Sequence, residues 1–268
     1  MIRKLSIAGA IIGALLVALL ICAALFADSL AGHDPHMQSF EERMSAPSRQ
    51  HPYGTDHLGR DMQSRIIYGI RDDLLVAAKA ALIALVAGGV LGAAAGVFGG
   101  ITDKVILFFG RFLASGPAIL LTIVLAARGF AFAGMTTGLM TGTAFMLIPG
   151  FIRVIRGIVL GSADTGTSIV KRALIISGAA AARVFLSIAV AILVYAGFGY
   201  LGLGAQPPSP ELGAAIRDGR NYLVSASYLI VYPALALVCT TLSFNILGES
   251  LIALLQRTES QNTKFCAK

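Results

Sequence analysis

Six almost wholly apolar stretches, 5–27, 74–98, 105–127, 133–152, 184–205 and 228–255, constrain this 268-residue chain more than any other feature. A helix advances about 1.5 Å per residue, so about 20 apolar residues cross the roughly 30 Å hydrocarbon layer of a bilayer. Within lipid every backbone N–H and C=O must be satisfied internally, which leaves helices as the solution for isolated apolar runs. Composition agrees: at 56% hydrophobic and 13% charged the chain has too few charges to coat a soluble globule. The expected fold is an all-α membrane protein with about six transmembrane helices.

The first run is longer than the 7–15 apolar residues of a signal peptide, so residues 1–27 are expected to stay as the first transmembrane helix. Residues 28–73 then form one extracytoplasmic loop, and 74–268 carry the other five helices. Gly88, Gly89, Gly92 and Gly96 in the second span suit close helix approach. Gly116-Pro117 interrupts the third span, as a packing irregularity or as a hinge in a pathway. Residues 151–183 are basic, with Arg153, Arg156, Lys171, Arg172 and Arg183 against Asp164, and read as a cytoplasmic loop with a short helix near 167–176. The prolines at 207, 208 and 210 require a loop before a short helix over 212–222 with Arg217, Asp218 and Arg220 exposed. Six spans place both termini on one side, where Lys and Arg are modestly in excess, and the termini are therefore expected in the cytoplasm.

Several function classes fall away. Walker A, HExxH, GxSxG and dinucleotide-binding patterns are missing from the sequence, so no enzyme site is expected, and no catalytic or cofactor-binding residue. The net charge of +7 is scattered between apolar runs, without Trp or a basic stripe, and fits anionic lipid better than nucleic acid. Spans two to five hold almost no ionisable residues, which argues against a proton or sodium relay. Glu249 falls near the end of the last span and suits an interfacial place. His33, His36, His51 and His57 lack a defined ligand spacing and read as solvated loop residues, so no metal is expected.

The most polar stretch is 51–75, HPYGTDHLGRDMQSRIIYGIRDDLL. Two turns lead into apolar residues at Met62, Ile66, Ile67 and Ile70, the spacing of a short amphipathic helix at an interface or under a partner; a solvated connector between spans is the other reading. Residues 54–75 resemble the segment after the first membrane helix in permease subunits of the peptide/nickel class of ABC importers, the dipeptide and oligopeptide C-type permeases. Tyr200 to Gly213, YLGLGAQPPSPELG, is similar to that family's FLGLG-x-Q-P-P-x-P-x-W-G run with Leu212 in place of Trp. Phe244 to Glu249, FNILGE, is similar to its F-N-L-L-G-D run.

The resemblance implies the type I ABC importer fold, alternating access, and a cargo of short peptides or nickel, free or chelated. It implies a homologous permease, two ABC ATPase subunits that bind the ATP and Mg, an extracytoplasmic substrate-binding protein, and a bacterial inner membrane. Gly54, Thr55, Asp56, Gly59, Arg60 and Asp61 would face the binding protein. Lys171, Arg172, Ala173 and Gly178 stand where the family carries its ATPase-coupling EAA pattern; Arg172 replaces the Glu, Leu174 the second Ala, and the segment is shortened. A transporter or channel working without ATP, and a degenerate permease scaffold, are the rival readings.

Overall fold

A computed structural model describes residues 2–132, 134–163 and 169–266; the side chains of 2–5, 117, 129–132, 162, 163, 169–176 and 256–266 lie outside the described residues. The chain runs through α1 (Ile2–Leu25), α2 (Ala27–Leu30), α3 (Met62–Phe98), α4 (Gly100–Ala114), α5 (Pro117–Phe132), α6 (Met135–Ala163), α7 (Ile169–Tyr200), α8 (Leu212–Gly219) and α9 (Tyr228–Cys266). Among the described residues five helices are long and apolar enough to cross a membrane. A sixth crossing arises if α4 and α5, bent by 72° at Gly116-Pro117, count as one broken span.

Side-chain size explains how closely the helices approach. Ala77, Ala80, Ala81 and Ala84 of α3 are fully buried. Gly88 and Gly92 of α3 lie so close to α6 that a Cβ would sit 2.8 Å from the carbonyls of Ile148 and Ile152. Gly96 continues this face against Val159, whereas nothing lies within 4 Å of a Cβ at Gly89, so three of the four glycines mark the contact. Gly13 of α1 packs on Leu247 of α9 in the same way. Between them Phe151, Ile192, Phe244 and Leu247 fill the centre of the bundle, while Leu82, Val86, Val90, Leu120, Val124 and Leu235 point outward, as lipid-facing residues do.

Charge appears at both ends. Far from the start of α3, Arg156 of α6 grips Asp103 of α4 with two parallel hydrogen bonds, that from Nη2 2.6 Å long. At the other end α1 and α7 finish, α3 and α9 begin, and residues 31–61 and 201–227 fold over one another as a polar cap. His36 Nδ1 lies 3.2 Å from the Pro208 carbonyl, and the Tyr228 hydroxyl donates to the Ser45 carbonyl at 3.0 Å. Both termini therefore lie at the end opposite the cap.

Two boundaries differ from the sequence reading, for one reason: a helix ends where its backbone loses partners, and a change of hydropathy does not remove them. The amphipathic segment at 62–70 is no separate interfacial helix, because α3 runs unbroken from Met62 into the span. The charges at its start do not face water either, since Arg60, Asp61 and Arg65 are buried. The helix expected over 167–176 is continuous, from Ile169, with the fifth span. Finally, Arg217 and Asp218 of α8 are half-buried and only Arg220 is exposed.

Candidate functional site

The cap is built around a carboxylate. Asp56 lies in a turn whose backbone is closed by hydrogen bonds from Gly59 N to Asp56 O and from Asp56 N to Arg60 O, both 3.0 Å. Its Oδ1 accepts from the amides of Leu58 (2.8 Å) and Arg60 (3.0 Å), an Asx arrangement that aims the carboxylate inward. Oδ2 then accepts from Arg60 Nε at 2.6 Å and lies 3.3 Å from Arg65 Nη1. Asp218 of α8 stands 4.0 Å from Arg60 Nη2. Asp56, Arg60 and Arg65 are 5%, 2% and 2% exposed, so this is a buried network in which each charge depends on the others.

The neighbouring residues fix the turn. Asp61 caps α3: its Oδ2 accepts from Ser64 N and Ser64 Oγ, both 2.7 Å, and its Oδ1 accepts from His51 Nδ1 at 2.8 Å. Thr55 is fully buried; its Oγ1 accepts from Ser45 N at 2.9 Å and donates to the Glu42 carbonyl. Gly54 and Gly59 have φ of +75° and +76°, where side chains are strained, and both are packed on carbonyls, of Ser45 and Ser39 respectively. Gly54, Thr55, Asp56, Gly59, Arg60 and Asp61 thus converge into one tight structure, with polar groups turned largely into the cap.

Sequence reasoning missed the partners. Glu42, Ser45, Arg65 and Asp218 join this cluster from loops or helix faces whose pattern carries no signal of it, and Glu211 forms a second buried site nearby. Glu211 is fully buried at the start of α8, with Oε2 accepting from Ala205 N at 2.7 Å. Its carboxyl rests on bare backbone, since a Cβ at Gly199 would lie 1.7 Å from Oε1. Asp73 of α3, also fully buried, faces the Leu212 N–H at the start of α8 without closing a hydrogen bond.

Burial pushes the Glu211 carboxyl up from its ordinary 4.5 to about 8, against the opposing Ala205 N–H and Arg217, with Asp72 adding to the rise. Folding therefore takes up a proton between these values. The contribution to stability is complete below about pH 4.5 and is lost, at up to about 1.4 kcal/mol per pH unit, as pH rises towards 8. Thermal unfolding of the detergent-solubilised chain should fall from pH 5 to pH 8.5 more steeply in the wild type than in Glu211→Gln. The two slopes should differ, and the variant should be the more stable at pH 8.5; equal slopes would mean that Glu211 is charged in the fold.

No family model matches the chain. It is 32% identical, over 90% of its own length and 85% of the relative's, to the probable D,D-dipeptide transport system permease protein DdpC of Escherichia coli strain K12. It is 34% identical, over 90% and 84%, to the glutathione transport system permease protein GsiD of Pectobacterium atrosepticum. The chain belongs to the permease subunits of peptide-type ABC importers. The dipeptide transport system permease protein DppC of Haemophilus influenzae is 28% identical over 91% of the chain and 88% of its own length. With the apolar helices, membership makes the protein a multi-pass inner-membrane transport subunit.

The second region of interest is 167–178, where the sequence reading expects ATPase coupling. The side chains of Lys171, Arg172 and Ala173 lie outside the described residues, as does their relation to any partner. Gly178 is described: it is half-buried on α7, where a Cβ would come within 2.9 Å of Leu255 of α9. The glycine at this end of α7 thus belongs to a close helix contact.

Proposed function

We propose that this permease carries short peptides across the inner membrane by alternating access, driven by ATP hydrolysis in partner subunits. The observation that carries this reading is the likeness, over nine-tenths of the chain, to permeases named for D,D-dipeptide and glutathione transport. Those names favour peptides over nickel as cargo. The helical bundle is consistent with a transmembrane conduit half, completed by a homologous permease. The cap faces an extracytoplasmic binding protein, and the start of α1, the end of α9, the end of α6 and the start of α7 lie on the cytoplasmic side against two ABC ATPases. ATP and Mg bind those ATPases, and the chain itself needs no cofactor.

A rigid cap suits this role. Docking a loaded binding protein requires a surface that keeps its shape, and the buried ion network holds 51–65 in one arrangement. Purification of the tagged chain from native membranes should bring down a second permease, ATPases and a peptide-loaded binding protein, identified by mass spectrometry. Recovery of the chain alone would remove this reading in favour of an ATP-independent carrier or an idle scaffold.

The coupling role of 167–178 makes its own prediction. Deleting these residues should abolish uptake and ATPase association while the chain still reaches the membrane, as read by fractionation and co-purification. Unchanged uptake would show that Lys171, Arg172, Ala173 and Gly178 do not couple.

A further inference from the structure

His51 is held between two carboxylates. Because the Asp61 carboxylate, 2.8 Å from Nδ1, can only accept, Nδ1 carries a proton, which leaves Nε2 as the ring nitrogen able to ligate a metal ion. That nitrogen stands 3.5 Å from Oε2 of Glu42, an approach that either a proton on Nε2 or a metal ion between the two atoms would stabilise. Their separation is close to the roughly 3.3 Å between two ligands of a tetrahedral ion with bonds of about 2.0–2.1 Å. His33 lies alongside, its ring centroid 4.7 Å from that of His51, and His33, His51 and Asp61 each bring one donor atom to within 4.8 Å of the others.

Part of this set is held in place by the fold. The His33 N–H donates to Ser64 Oγ at 3.2 Å, the same hydroxyl that donates to Asp61, so the backbone at His33 is tied to the cap of α3. His51 is 7% exposed and cannot turn freely, whereas His33 and the Glu42 side chain are open enough to swing inward.

We propose that the cap binds one divalent transition-metal ion of the Zn²⁺ class through His51 Nε2, His33 and Glu42, with Asp61 orienting His51 through its Nδ1–H. A carboxylate on the far nitrogen of a ligating histidine is the arrangement that fixes tautomer and ring direction at metal centres. The mixed imidazole and carboxylate set favours Zn²⁺ or its neighbours over Mg²⁺ or Ca²⁺. Bound there, the ion would clip the loop at 33 and 42 onto the first turn of α3. The rival arrangement is a doubly protonated His51 bridging Glu42 and Asp61 without metal, which leaves His33 idle.

The test uses the full chain in detergent, carrying no polyhistidine tag, titrated with Zn²⁺ by calorimetry and with Co²⁺ by visible absorption. One ion should bind per chain, and Co²⁺ should give the d–d bands of a low-coordinate nitrogen and oxygen site. His33→Ala and Glu42→Gln should each weaken Zn²⁺ binding by about tenfold or more. His36→Ala, also in the loop, should bind as the wild type does. His33 is exposed and gives the fold a backbone hydrogen bond and one ring contact with His51, so the melting temperature of His33→Ala without metal, which should match the wild type, separates loss of binding from unfolding. Absence of saturable binding, or binding unchanged in both variants, overturns the site. Neither readout depends on transport.

Discussion

Asp56→Ala should reach the membrane and yet lose its folded cap, and peptide uptake with it. The substitution removes the shared partner of Arg60 Nε and Arg65 Nη1 and the acceptor of two backbone amides in the turn. Asp218 cannot compensate, because it stands 4.0 Å from Arg60 and adds a single negative charge against two guanidiniums. Removing one partner from a buried charge network costs on the order of 3–5 kcal/mol, comparable to the whole stability of many domains. Limited proteolysis in detergent should cut the variant within 31–61 at protease levels that leave the wild type intact. Asp56→Asn should be intermediate, since it keeps the amide acceptor and loses the charge. Wild-type resistance in Asp56→Ala would mean that water already screens the network.

Gly59→Ala should be nearly as damaging by a different route. At φ +76° an alanine carries local strain of about 1–3 kcal/mol, and its Cβ would be placed 1.7 Å from the Ser39 carbonyl oxygen. The obstacle is backbone, so one of two chain segments must move. The segment holding Ser39 would be displaced, and the turn that aims Asp56 at its arginines would open. Substitution at Gly89, in the middle of a span with nothing within 4 Å of a Cβ, is the control and should be silent. Measured by uptake and by melting temperature, the two alanines should separate clearly; similar behaviour would mean that the loop yields easily.

These predictions rest on features unequally visible in the sequence. The apolar runs announce the spans, since their length and lack of charge leave the chain few alternatives in lipid. Gly54 to Asp61 could be picked out as a turn-rich block, and its resemblance to a peptide permease segment was legible there. What could not be read was the burial of Asp56, Arg60, Asp61 and Arg65. A hydropathy pattern treats charges as wet, and these are dry because Asp218, more than 150 residues away, folds over them. The burial of Glu211, in the loop before α8, is hidden for the same reason: Gly199 and Gly204 make room for its carboxyl by having no side chain. His33 and His51 have no motif spacing, and they meet only because Ser64 ties the earlier loop to the cap of α3.

The measurement that bears most directly on peptide import is uptake of a labelled dipeptide into proteoliposomes. They would contain this chain with its partner permease and two ATPases, with loaded binding protein outside. ATP-dependent accumulation should appear and should fall to background when this chain is left out or when Asp56→Ala replaces it. Peptide flux through this chain alone without ATP, or full accumulation in its absence, would contradict its assignment as the conducting subunit of an ATP-driven importer.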